Sequence, residues 1–114
     1  MRILYGTKME GLDRLTRSWE ILRYLKQEGH EIFLAGSGHG FTLLSEEFEQ
    51  TFWIRHPPPY LDEETFASEM AESNRMLPVR VERFRPRIAI VDGEPFVDRI
   101  AANYRLPVLS VDHM

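Results

Sequence analysis

Apolar and polar positions along the chain alternate between two rhythms, and the change from one to the other marks out the elements. Residues 2–7 form a short apolar run around Gly6, and residues 13–28 then carry Leu15, Trp19, Leu22 and Leu25 on one helical stripe. This predicts a strand and an amphipathic helix. Asp13 is placed as its N-cap, and Gly29 as the left-handed residue that ends it. His30 caps this helix or opens the next strand, residues 31–35, and Trp19 belongs to the apolar stripe. The run Gly36-Ser37-Gly38-His39-Gly40 reads as a loop, residues 41–48 as a short helix and residues 51–54 as a third strand.

Pro57-Pro58-Pro59 forbids regular pairing and marks a surface crossover. Phe66, Met70, Leu77, Val81 and Phe84 then keep a helical stripe across residues 62–85. Asp62, Glu63 and Glu64 lie at its front and Arg80, Arg83 and Arg85 at its back, which suits the helix dipole. Pro78 predicts a kink, or a break that makes Pro78 the first residue of a second helix. Residues 87–91 read as a fourth strand, residues 94–104 as a helix with Phe96, Ile100 and Ala101 inward, and residues 107–111 as a fifth strand. Strands alternating with helices imply an α/β fold: a five-stranded parallel Rossmann-like sheet of order 3-2-1-4-5 with helices on both faces. The near-continuous apolar strands 88–91 and 108–111 are what a sheet covered on both sides requires.

A chain of 114 residues is one domain, residues 1–114, and 43% apolar residues suffice for a core. A net charge of −4 argues against nucleic acid, whose phosphates select a basic surface. With no cysteine there is no disulfide, thiolate nucleophile or Cys-based zinc site, and no metal cluster or cofactor motif is evident. The first apolar run is too short for a signal sequence, and no stretch approaches the ~20 apolar residues of a membrane span. A cytoplasmic protein is expected.

In doubly wound sheets, ligands sit beyond the carboxyl ends of the strands where the order reverses. Three loops are expected there: residues 7–14, residues 36–40, and Asp92-Gly93-Glu94. Their glycines, free N–H groups and the side chains of Arg14, Arg17, His39, Asp92 and Glu94 suit an anion or a sugar hydroxyl. Gly6-Thr7-Lys8-Met9-Glu10-Gly11 fails the dinucleotide fingerprint, and Leu12-Asp13 after Gly11 fails the Walker A loop. Gly6-Thr7 and Arg55-His56 stand where a phospho-receiver domain needs its aspartates. Two plainer readings stay open. Arg14 and Arg17 can form a solvated helix face with an Asp13 to Arg17 ion pair, and Asp92 or Glu94 can cap the helix that follows.

Gly11-Leu12-Asp13-Arg14-Leu15-Thr16-Arg17, Gly29-His30-Glu31-Ile32, the segment from Arg85-Pro86-Arg87 to Asp92-Gly93-Glu94-Pro95, and Leu106-Pro107 with Ser110-Val111-Asp112-His113 follow one another in order. Together they resemble the amino-terminal, acceptor-side half of GT-B fold glycosyltransferases of the MurG and UDP-glycosyltransferase type. The resemblance implies transfer of a sugar from a nucleotide-sugar donor to a sugar or lipid-linked acceptor. It also implies a donor domain in cis or trans, as in the two-subunit transferases that build dolichol-linked sugars, so the isolated chain is expected to be inactive. Asp92, Glu94 and Asp13 are the candidate catalytic carboxylates; Gly11, Arg14, Arg17, His39, Asp112 and His113 are candidates for substrate binding. Where the family places Gly-His, this chain has Asp13-Arg14, and a guanidinium cannot accept the acceptor's proton. The alternative is a non-catalytic Rossmann-like module or degenerate subunit that pairs with itself, as a homo-oligomer, or with another chain.

Overall fold

The structure, a computed structural model, describes residues 1–111, so Asp112 and His113 lie outside the described residues. The elements run β1 (Arg2–Lys8), α1 (Leu12–Gln27), β2 (Glu31–Ser37), α2 (Phe41–Ser45), β3 (Gln50–Trp53), α3 (Glu63–Ser73), α4 (Met76–Phe84), β4 (Ile88–Asp92), α5 (Pro95–Asn103) and β5 (Val108–Ser110). Every neighbouring strand pair is parallel, and the order is β3-β2-β1-β4-β5. The expected α/β Rossmann-like sheet is present.

Strand alternation divides the core into two layers. Ile3, Tyr5, Ile32, Leu34 and Ile90 point to one face and pack with Leu22 of α1 and with Phe41 and Leu44 of α2. Leu4, Phe33, Ala35, Ala89 and Val91 point to the other, against Met70 of α3, Leu77 and Val81 of α4, and Val97, Ile100 and Ala101 of α5. Gly6 continues the second face. A Cβ there would lie 2.6 Å from Val97, so α5 rests directly on the β1 backbone.

Several expected boundaries shift, each for a local reason. β2 runs on through Gly36 and Ser37, which pair with Thr7 and Lys8, so the loop starts only at Gly38. The N-cap of α1 is Gly11, not Asp13, which stands in the first turn, where its negative charge suits the helix dipole. α2 is a short helix that ends at Ser45. The long helix breaks at Asn74 and Arg75, ahead of Pro78. Asn74 falls on the buried stripe, and its amide is spent on the Arg55 backbone N–H and carbonyl, at 2.8 Å each, and on the Met70 carbonyl at 2.8 Å. Pro78 then lies in the first turn of α4, where a missing N–H costs nothing. Glu28 and Gly29 close α1 as expected, with Gly29 at φ 85.

Candidate functional site

Four strand ends meet at the carboxyl edge of the sheet: Lys8, Ser37, the Arg55-His56 stretch after β3, and Asp92 with the turn to Glu94. The two acidic residues of that turn face opposite ways. Asp92 continues the side of Ile88 and Ile90, so its carboxylate meets α1. Gly93 then takes φ 69, a left-handed geometry that turns the chain, and Glu94 becomes the N-cap of α5 on the other face.

On the α1 side a chain of side-chain hydrogen bonds joins the polar groups. The fully buried Asp92 carboxylate accepts from Arg17 Nη2 at 2.7 Å and from Ser18 Oγ at 2.9 Å. Arg14 Nε stands 3.8 Å from the same Oδ1, and Arg14 Nη1 donates to the Lys8 carbonyl at 3.2 Å. Ser18 gives its only proton to Asp92, so Tyr5 Oη and Thr7 Oγ1, each 3.3 Å away, donate to Ser18 Oγ. Burial of the Tyr5 phenol pushes its pKa up to about 12, with the nearby Asp92 adding to the effect. Gly93 makes room for Arg14, since a Cβ would sit 2.5 Å from its Nη1. The network ties α1 to the ends of β1 and β4. It also leaves Arg14 and Arg17 21% and 29% exposed near the ends of those strands.

The other side holds an open cavity of about 810 Å³ between the β3–α3 connection, α3 and the start of α5. Its walls include Leu61, Phe66, Met70 and Phe96, with Lys8, His56 and Glu94 at the inner end. Glu94 is fully buried. Its Oε1 accepts from the Phe96 N–H at 2.9 Å, while Oε2 is buried without a hydrogen-bond partner. His56 Nε2 lies 3.7 Å from Oε2 and 3.1 Å from Ser37 Oγ. Burial raises the Glu94 pKa, against the helix-start N–H of Phe96 and the Lys8 charge, which lower it. Burial, then the Lys8 charge, lowers that of His56, against the opposing charge of Glu10. Both shifts favour uncharged partners, and 3.7 Å is too long for a hydrogen bond, so the pair is not held as an ion pair. Nor is it a Ser-His-Glu triad. That arrangement uses both ring nitrogens of the histidine, whereas Ser37 and Glu94 both face Nε2.

The structure therefore brings Asp92, Arg14 and Arg17 together and sets Glu94 apart from them. The expected Glu94 cap on α5 is present, while Asp92 is committed to Arg17 and Ser18. Gly11 and Asp13 lie exposed at the start of α1, and His39 is exposed on the turn after β2. The expected binding residues Asp112 and His113 lie outside the described residues. Lys8 and His56 were not anticipated, although both stand at the carboxyl ends of strands that the apolar pattern had located. No group of three or more His, Cys, Asp or Glu among the described residues could hold a metal, and none of the described helices is long and apolar enough to cross a membrane.

No protein-family model matches the sequence, and no curated protein matches it. Solved structures do. The C-terminal domain of a hydrogenase from Pyrococcus furiosus superposes with a TM-score of 0.66 at 12% identity, over 96% of this chain and 90% of that one. UDP-GlcNAc 2-epimerase from Neisseria meningitidis, solved with UDP-GlcNAc bound, gives 0.66 at 13% identity, over 97% of this chain and 32% of the epimerase. A kitacinnamycin glycosyltransferase gives 0.62 at 17% identity, over 96% of this chain and 29% of its own. The chain thus spans about a third of the two sugar-nucleotide and glycosyl-transfer proteins it superposes on. At these identities the likeness establishes one thing, the Rossmann-like fold of the chain.

Proposed function

We propose that this chain is the acceptor-binding half of a GT-B type glycosyltransferase, related to the MurG and UDP-glycosyltransferase group, and that a donor-binding domain acts with it in cis or in trans. Fold alone does not carry the reading, because Rossmann-like sheets host many functions. The observation that carries it is Glu94, a buried carboxyl group at the carboxyl edge of the sheet that lines a cavity and has one oxygen without a hydrogen-bond partner. Displacement at the anomeric carbon of a nucleotide-activated sugar needs a base within hydrogen-bond reach of the acceptor hydroxyl. Glu94 Oε2 fills that role, and its raised pKa brings it toward the range where a carboxylate both holds and releases a proton. Asp92 has a different part. Held by Ser18, it orients Arg17 and Arg14 toward the crevice, where guanidinium groups offset charge on a leaving diphosphate. Asp13 and His39, both exposed near that crevice, are second-rank contacts for substrate, as is the Gly11 backbone.

Titration of the ¹⁵N-labelled chain with octyl glucoside below its micelle concentration, and separately with UDP-GlcNAc, tests the reading. The glycoside is expected to move the amides of Lys8, His56 and Phe96 saturably, while UDP-GlcNAc alone leaves them in place because its main site lies on the donor half. If no amide moves with the glycoside, or UDP-GlcNAc saturates the cavity, the acceptor assignment is wrong.

A second reading has one specific support. A domain of nearly the same extent superposes over 90% of its own length, so a unit of this size exists as a module of a protein with a different name. As a non-catalytic module the chain would pair with itself or another chain through its exposed apolar residues. Sedimentation separates the two readings: a monomer that binds the glycoside supports the transferase half, and a dimer indifferent to it supports the module.

A further inference from the structure

We propose that the cavity beside Glu94 takes a neutral molecule with an apolar body that presents one hydroxyl group to Glu94 Oε2. The inference rests on the acceptor reading for its biological meaning but stands on its own geometry. At about 810 Å³ the cavity lies within the ~300–1,000 Å³ of small-molecule sites. Pro59, Leu61, Phe66, Met70, Pro95 and Phe96 supply its apolar surface.

At the polar end one atom stands out. Glu94 Oε2 is a buried oxygen without a hydrogen-bond partner, and a group in that state costs free energy until something meets it. When Glu94 is protonated, Oε2 can donate; when ionised, it can only accept. A hydroxyl is the simplest ligand group that satisfies both states, because it donates and accepts. A carboxylate would face Glu94 as a like charge or lose its hydration beside it, and an ammonium would give up its water for a site whose carboxyl group resists ionisation.

The rim does not select a charge either. Lys8 and Arg99 are countered by Glu63 and Glu64, and Lys8 also lies 3.7 Å from Glu10. His56 Nε2 is the other polar atom near the floor, and Ser37 already engages it at 3.1 Å.

Three ligands with the same eight-carbon body give the test: 1-octanol, octanoate and octylammonium, titrated at pH 7 against the ¹⁵N-labelled chain. Octanol is expected to shift Lys8, His56 and Phe96 amides saturably and to bind at least about tenfold more tightly than either ion. Glu94→Gln, whose amide also donates and accepts, should stay within about threefold for octanol, whereas Glu94→Leu should weaken it about fivefold, the value of one hydrogen bond. Because Glu94→Leu removes the α5 cap and can unfold the start of that helix, Ala67→Trp on the exposed lip of α3 gives an independent arm. It should weaken octanol more than tenfold without touching Glu94. Equal binding of all three ligands, tighter octanoate, unchanged octanol in Glu94→Leu, or no binding at all would each overturn the proposal. Octanol bound as stated with octyl glucoside excluded would retain this site and remove the sugar-transfer reading, so the two fail separately.

Discussion

Replacing Asp92 with alanine removes the acceptor on which α1 is anchored to β4, and the size of the loss follows from the contacts. The carboxylate is fully buried and takes a charge-assisted bond from Arg17 at 2.7 Å and a bond from Ser18 at 2.9 Å. Breaking a buried ion pair on one side costs about 3–5 kcal/mol when the remaining charge is stranded. Arg17 is not stranded here, since its side chain is 29% exposed and can recruit water. Ser18 can turn its proton toward Thr7 Oγ1, 3.3 Å away. With those discounts, about 2–3 kcal/mol remains for Asp92→Ala, from the Arg17 bond and a small part of the Ser18 bond, both made to the carboxylate. Asp92→Asn keeps one acceptor for Arg17 and sets an amide N–H against Ser18 Oγ, which can accept it by turning its own proton to Thr7 Oγ1, so about 1–2 kcal/mol is expected. Urea denaturation measures both, as a lower midpoint with an unchanged slope. A double-mutant cycle with Arg17→Ala should return a coupling of about 1 kcal/mol or more. If Asp92→Ala costs less than about 0.5 kcal/mol, or the cycle shows no coupling, the network is not what holds α1 in place.

Other outcomes follow from the same geometry. Glu94 has its folded-state pKa raised by burial, so the folded state binds the proton more tightly than the unfolded one. Wild-type stability should therefore fall as pH rises from the ordinary carboxylate range through the raised value, and Glu94→Gln should remove that fall. His56, lowered by burial, acts in the opposite sense: its contribution is present above its ordinary pKa and is lost on acidification, and His56→Gln should remove it. Tyr5 should be the late phase in an absorbance titration of the four tyrosines, ionising near pH 12, with stability falling from about pH 10 as the unfolded phenol ionises. Asn74→Ala leaves the Arg55 backbone and the Met70 carbonyl unmet and should cost about 2–3 kcal/mol by urea midpoint. Gly6→Ala drives a Cβ into Val97 and should cost about 1–3 kcal/mol, with chemical-shift changes concentrated in α5.

Much of the architecture was legible because strand alternation and helix spacing are periodic signals. The same alternation that sets Ile88 and Ile90 on the α1 side also sends Asp92 there. That could have been read two residues at a time. The pairing of Arg17 was not legible: a helical neighbour, Asp13, is the local expectation, while the partner at 2.7 Å is 75 residues away. The separation of Asp92 from Glu94 depends on Gly93 turning the chain, and a Gly in a loop does not announce its direction. His56 stood before Pro57 with no motif around it. Only the parallel register, which sets the end of β3 beside Ser37 of β2 and near Glu94 at the start of α5, gives it neighbours. The helix break fell at Asn74 and not Pro78 because a buried amide found three backbone partners, a tertiary cause that helix propensity does not contain.

The claim that matters most is that Glu94 is the chemically active carboxyl group and that the cavity beside it receives the acceptor. Carbon-13 NMR of the Glu94 carboxyl resonance, followed across pH with and without octyl glucoside, addresses it directly. The Glu94 carbon should titrate above ordinary exposed carboxylates and shift saturably when the glycoside is added. A Glu94 carbon that titrates with the exposed carboxylates and ignores the glycoside would contradict it.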